Sequence, residues 1–275
     1  MIRSYTSRID GTTPGGDAAA MILNAMLFGD EAAAPVILLH GLFGAARNLG
    51  GIARGLAADY RVAAFDLRNH GDSPHDAVMD YAAMAADVAE TARELGIEAA
   101  AVIGHSMGGK VAMALALTRP GLVSRLAVLD IAPVAYDHGN AAYARAMLAI
   151  PLSPALTRQQ ADDALAAAVP EAALRSFLLN NLRLGAEPRW RVGLDEVLAA
   201  MPALLDWTDP PGWLAYEGPA LFLRGGESDY VSAAAAAVAA RFPHAVQRTI
   251  DGAGHWLHAE KPAQVIAALK EFLSP

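Results

Sequence analysis

Along this chain, short runs that are apolar at nearly every position alternate with longer segments in which apolar residues return every three or four positions. The unbroken runs at residues 35–40, 61–65, 99–104, 125–130 and 219–224 have the length and composition of strands buried on both faces, as central strands of a parallel sheet are. Residues 245–250, more polar, are expected as the last strand. The three-to-four spacing at 45–58, 81–95, 110–117 and 262–273 predicts helices between and after them. Residues 1–20 are polar and broken by Gly11, Pro14, Gly15 and Gly16, which predicts a first edge strand and then a loop; 21–28 predicts a second strand closed by Gly29-Asp30. Strand and helix alternating at this pace indicate a parallel sheet covered on both faces.

The rhythm breaks between Asp137 and Glu217. Only helix-like blocks occur there (141–150, 158–168, 171–182 and 192–201), separated by prolines and asparagines. The expected organisation is a core of residues 1–136 and 217–275, with a helical cap of 137–216 inserted between two core strands. Its Met147, Leu148, Leu152, Phe177, Leu178 and Leu179 are expected to line an apolar acyl pocket. An alanine helix is expected over 232–240.

Composition narrows the class. The 275 residues can bury a sizeable core, and much of the 54% apolar content is alanine. No apolar stretch reaches the roughly 18 residues a membrane span requires. Residues 1–10 lack the apolar core of a secretory signal, which predicts a cytoplasmic protein. A net charge of -8 argues against nucleic acid or an anionic membrane as partner. The absence of cysteine excludes disulfides and thiolate chemistry. There is no His-x-x-His, no Walker lysine loop and no Gly-x-Gly-x-x-Gly after a strand, so neither a metal nor a cofactor is expected. Oligomeric state is left open.

Candidate chemistry centres on Gly104-His105-Ser106-Met107-Gly108, between the 99–104 run and the following helix. Gly-x-Ser-x-Gly in that setting is the nucleophile elbow: the serine sits on a sharp strand-to-helix turn that lifts its hydroxyl above the sheet. Glycines flank it because a Cβ would collide with the adjoining backbone. Ser106 is therefore the candidate nucleophile, and the N–H of Met107 a candidate oxyanion donor.

Further motifs fall in order along the chain: His40-Gly41-Leu42-Phe43-Gly44, Asp66-x-Arg68-x-x-Gly71-x-Ser73, Asp130-Ile131-Ala132-Pro133, Gly226-Glu227-Ser228-Asp229-Tyr230-Val231 and Gly254-His255-Trp256-Leu257-His258-Ala259-Glu260. With the elbow, they make the chain resemble an α/β-hydrolase from Val36 to Phe272. Asp-Ile-Ala-Pro, Trp190-Arg191-Val192-x-Leu194 and Gly-His-Trp-x-His-Ala-Glu make it most similar to a branch of small capped esterases and acyl thioesterases of bacteria and mitochondria. The resemblance implies a mostly parallel eight-stranded sheet with helices on both faces. It also implies a serine hydrolase that cleaves esters or thioesters of small-to-medium apolar acids through an acyl-enzyme. Two alternatives use the same residues: a carbon–carbon bond hydrolase or lactonase, and a ligand receptor without turnover.

By the same resemblance the second oxyanion donor is the N–H of Leu42, with Phe43 the alternative. Among eight histidines, His255 has the base's place after the last strand. His40, His70 and His258 are expected to be structural, His105 fills the variable elbow position, and His75, His138 and His244 are expected at the surface. Asp66 and Arg68 are expected to hold loops, Asn180-Asn181 to cap a helix, and Trp190, Trp207 and Trp213 to pack. The acid has two candidates. Asp229 lies in the loop after the penultimate strand, the usual place, and Asp130 ends the strand after the elbow helix. Chain order admits both, and the resemblance to the capped branch favours Asp130.

Overall fold

A computed structural model describes residues 3–5, 20–137, 139–231 and 234–274. Its centre is an eight-stranded sheet. In chain order the first six strands are β1 (Arg3–Tyr5), β2 (Ala25–Phe28), β3 (Pro35–Leu39), β4 (Arg61–Phe65), β5 (Ala100–His105) and β6 (Val123–Leu129). They lie in the order β1-β2-β4-β3-β5-β6, and two later strands extend the β6 side. β2 runs antiparallel to β1 and to β4, whereas β4, β3, β5 and β6 are mutually parallel. The loop expected before β2 and His138 lie outside the described residues.

Every residue of β5 is buried, because helices cover both faces of the sheet. They are α1 (Gly50–Leu56), α2 (Tyr81–Glu94) and α3 (Met107–Thr118) on the first half. The side chain of Asp80 caps α2 by accepting from the N–H of Ala83 at 2.8 Å. The helix predicted over 45–58 is a 3₁₀ turn (Ala46–Leu49) running into α1.

Between β6 and the next sheet strand come α4 (Asn140–Leu148), α5 (Arg158–Leu165) and α6 (Ala172–Leu179), then a short antiparallel ribbon of β7 (Leu182–Arg183) and β8 (Arg189–Trp190), and α7 (Leu194–Leu205). The sequence pattern does not contain the ribbon, since two residues a strand carry no periodicity. The helix expected to stop at Met201 continues through Pro202 to Leu205. These helices share one apolar cluster with the sheet face beneath, through Met147, Leu165, Leu178 and Met201 among others.

The chain then returns with β9 (Ala220–Gly225), parallel to β6, and β10 (Ala245–Ile250), parallel to β9. α8 (Ala235–Arg241) separates them, and α9 (Leu257–Glu260) and α10 (Pro262–Leu273) close the fold. The alanine helix thus begins at Ala235; Ser232 and Ala233, where it was expected to start, are not described. Among the described residues no helix is long and apolar enough to cross a membrane.

Candidate active site

Ser106 stands between the end of β5 and the first residue of α3, with φ 52° and ψ -122°. This left-handed backbone is costly for a side chain and persists where its surroundings enforce it. The surroundings here are the two glycines. A Cβ on Gly104 would lie 2.1 Å from the carbonyl oxygen of Gly108, and one on Gly108 would lie 2.4 Å from that of Leu39. The serine hydroxyl is turned towards His255, whose Nε2 lies 3.0 Å from Oγ. His255 follows β10 in chain order, and its Nδ1 lies 2.7 Å from Oδ2 of Asp130. These partners define the tautomer: Nδ1–H donates to the carboxylate and Nε2 accepts from the serine.

Asp130, fully buried just past β6, also takes a left-handed backbone with φ 53°. Its Oδ1 accepts from the N–H of Gly225 at 2.8 Å, and the Ser228 hydroxyl donates to Oδ2. The loop that carries the other acid candidate thus helps to orient Asp130. Asp229 itself is exposed. Ser106, His255 and Asp130 are brought into one hydrogen-bonded line, and Asp229 is not part of it.

The imidazole of His255 is stacked on Tyr230, with centroids 3.9 Å apart and planes 16° from parallel. His105 lies beside it and donates from Nε2 to the carbonyl of His255 at 2.9 Å. Burial, with His258 and His255 nearby, holds His105 well below the ordinary histidine range. His258, pushed down to about 4 by burial and by His255, is neutral as well. His255 is therefore flanked by uncharged rings.

The turn after β3 is held by side chains on both sides. Gly41's carbonyl accepts from His40 Nδ1 at 2.8 Å and from the N–H of Gly44 at 2.9 Å. Phe43, in a left-handed conformation at φ 59°, donates its N–H to Nε2 of His70 at 3.2 Å. Burial and the neighbouring His40 push His70 down to about 3, which leaves that nitrogen free to accept. From above, Asn181 Nδ2 donates to the carbonyl of Phe43 at 2.7 Å. The N–H of Phe43, the alternative oxyanion donor, is thus occupied. Among the described residues the N–H groups of Leu42 and Met107 meet no acceptor.

Sequence reasoning missed the part played by Asn181 and placed His70 only in a loop-shaping role. Both contacts join residues far apart in the chain. The other expected structural groups are engaged. Asp66 accepts from Ala46, Asn24 and Asp72, and buried Arg68 pairs with Asp87 at 2.6 Å. His75 and His244 are exposed, and Trp190, Trp207 and Trp213 pack against the core.

Two cavities meet at Ser106. The larger, about 330 Å³, is lined by Leu42, Tyr143, Phe177, Tyr230, His255 and Trp256 among others, and the smaller, about 40 Å³, lies towards α7. Of the six inserted residues expected to line an acyl pocket, only Phe177 lines either cavity. Met147, Leu178 and Leu179 are buried in the core, and Leu148 and Leu152 face outwards. The apolar faces of these helices are used in packing on the sheet. Among the described residues no cluster of histidine and carboxylate could hold a metal ion.

A model of the alpha/beta hydrolase family matches residues 36–269. The mouse protein sn-1-specific diacylglycerol lipase ABHD11 is 39% identical over 259 residues, which are 90% of this chain and 84% of its own. The Escherichia coli (strain K12) esterase YbfF is 40% identical over 242 residues, 87% of this chain and 93% of its own. Among solved structures, a marine microorganism esterase superposes with a TM-score of 0.88 at 35% identity, covering 92% of this chain and 100% of that one.

Proposed function

Because this chain belongs to the α/β-hydrolase family and has esterases and a lipase among its relatives, we propose that it is a serine hydrolase cleaving carboxylic esters or thioesters through an acyl-enzyme. The observation that carries this reading is the line Ser106–His255–Asp130 beside two backbone N–H groups without acceptors. Residues 137–216 act as a cap over a core formed by 1–136 and 217–275.

His255 Nε2 takes the proton as Ser106 Oγ attacks the carbonyl carbon. Negative charge collects on the carbonyl oxygen, and the N–H groups of Leu42 and Met107 stabilise it. Asp130 holds the imidazole in the tautomer that can accept this proton, and its carboxylate faces the imidazolium once formed. His255 then delivers the proton to the departing alcohol or thiol. A water molecule, deprotonated by the same nitrogen, repeats the attack on the acyl-enzyme and releases the acid. Sustained turnover of a short p-nitrophenyl ester by the purified protein tests the reading. Stoichiometric binding without turnover would instead mark a receptor that keeps the fold.

In this mechanism Asn181 is a positioning residue, because it fixes the carbonyl of Phe43 and so the aim of the Leu42 N–H. Asn181→Asp keeps the shape but removes the donor. It is expected to lower kcat by about tenfold with KM near wild type. The ratio of variant to wild-type kcat should recover as the pH falls and the introduced carboxyl, once protonated, can donate again. A change confined to KM, or a ratio flat across pH, would remove Asn181 from this role.

A further inference from the structure

The two cavities are not equivalent, because only one of them contains the proton donor for the leaving group. An ester bound for attack has its carbonyl oxygen at the N–H groups of Leu42 and Met107, so its acyl chain and its leaving oxygen diverge from Ser106. The leaving oxygen has to come within hydrogen-bond reach of His255 Nε2. His255 and Trp256 line the cavity of about 330 Å³. The smaller cavity, about 40 Å³, is lined by Ser106, Met107, Ile131, Tyr136, Met201 and Lys110, and His255 is not among its walls.

The smaller cavity has a fixed depth. Lys110 lies one helical turn beyond Ser106 on α3, which is about 6 Å along the axis. Its amino group is tied down: Nζ donates to the carbonyls of Asp206 at 2.7 Å and Leu205 at 3.3 Å, and it sits 4.9 Å from the Tyr136 ring centroid and 5.4 Å from that of Tyr81. A side chain held at four points forms a wall that does not swing aside. The space in front of it holds on the order of three waters. Leu42, Met107, Ile131, Met201, Leu204 and Leu205 make most of its sides apolar, and Asn140 and the tyrosines are polar but uncharged.

Resting on the serine-hydrolase reading, we propose that the substrate is an ester of a short, unbranched, uncharged acid, whose acyl chain enters the Lys110-closed cavity, and of a larger apolar alcohol or thiol that occupies the His255 side. The volume admits an acyl group of about four carbons. The expected preference is therefore for a small acid on a bulky leaving group, the short end of the small-to-medium range that the resemblance implies.

Two isomeric esters of identical composition, hexyl acetate and methyl heptanoate, test the assignment with the purified full chain. Their leaving groups are both simple primary alcohols, so the main difference is which arm is long. The kcat/KM for hexyl acetate is expected to exceed that for methyl heptanoate by about tenfold or more, the discrimination that a few methylenes without room produce. Met201→Ala, which removes side-chain volume from the wall of the small cavity, should raise methyl heptanoate relative to hexyl acetate by about tenfold. A preference for methyl heptanoate, or equal rates, would overturn the proposal. So would failure to turn over either ester by an enzyme that a fluorophosphonate still labels at Ser106. Absence of both turnover and labelling would instead sink the serine-hydrolase reading on which the proposal rests.

Discussion

Replacing Ser106 by alanine is expected to lower kcat for a p-nitrophenyl ester by about a millionfold, the loss that follows removal of the nucleophile from a triad. The melting temperature should stay close to that of the wild type. The Ser106 side chain is only partly buried, and its hydroxyl hydrogen-bonds to His255. Alanine would meet the same left-handed backbone that Ser106 already adopts, in a turn whose close contacts Gly104 and Gly108 permit. The proposed oxyanion donors belong to the backbone of Leu42 and Met107 and survive the change. A residual rate within about a hundredfold of wild type, in a variant that melts normally, would mean that another group attacks the carbonyl.

The second large effect separates the two acids. Asp130→Asn is expected to reduce kcat by about ten-thousandfold, whereas Asp229→Asn should cost less than about tenfold. An asparagine at 130 can turn its amide NH₂ towards Nδ1 of His255, which forces that nitrogen to accept and puts the ring proton on Nε2. In this tautomer His255 cannot take the proton of Ser106. Asp130 is fully buried, and its carboxylate already receives Gly225 N–H and the Ser228 hydroxyl, so the ring cannot easily find a substitute partner. Asp229 is exposed, outside the line of hydrogen bonds through His255. Steady-state kinetics of the two variants decide the matter. The reverse pattern would give the role to Asp229, and equal losses would mean that both contribute.

The sheet was legible because its central strands are buried on both faces. Burial of that kind forces unbroken apolar runs such as 35–40 and 99–104, and these overlap β3 and β5 to within one residue at each end. The elbow was legible because its constraint is local: glycines within two residues of Ser106 are required by backbone contacts that any reader of the turn can anticipate. The acid was not legible to the same degree. Asp130 and Asp229 both lie between serine and histidine in the chain, and what separates them is a backbone turn at φ 53° that places one carboxylate under His255. No pattern along the sequence announces that turn.

The clamp on Phe43 was hidden for a related reason. His70 is 27 positions away and Asn181 is 138 away, on an element with a different connection to the sheet. Asn180 does end α6 and Asn181 Nδ2 does donate to the Leu178 carbonyl in its last turn at 3.2 Å, as a cap should; the second acceptor, the carbonyl of Phe43, is what the sequence does not show. The walls of the substrate site were misjudged because apolar residues in the inserted helices have two uses. Met147, Leu178 and Leu179 pack downwards on the sheet. The smaller cavity is instead bounded by α3 and α7 through Lys110 and Met201.

The proposed mechanism stands or falls on covalent capture at one oxygen atom. Incubating the purified protein with a fluorophosphonate, then digesting it and locating the adduct by mass spectrometry, measures that capture directly. One equivalent bound to the peptide that contains Ser106, with parallel loss of ester turnover, is the expected result. An adduct on any other residue, or ester turnover that continues in protein fully labelled at Ser106, would contradict it.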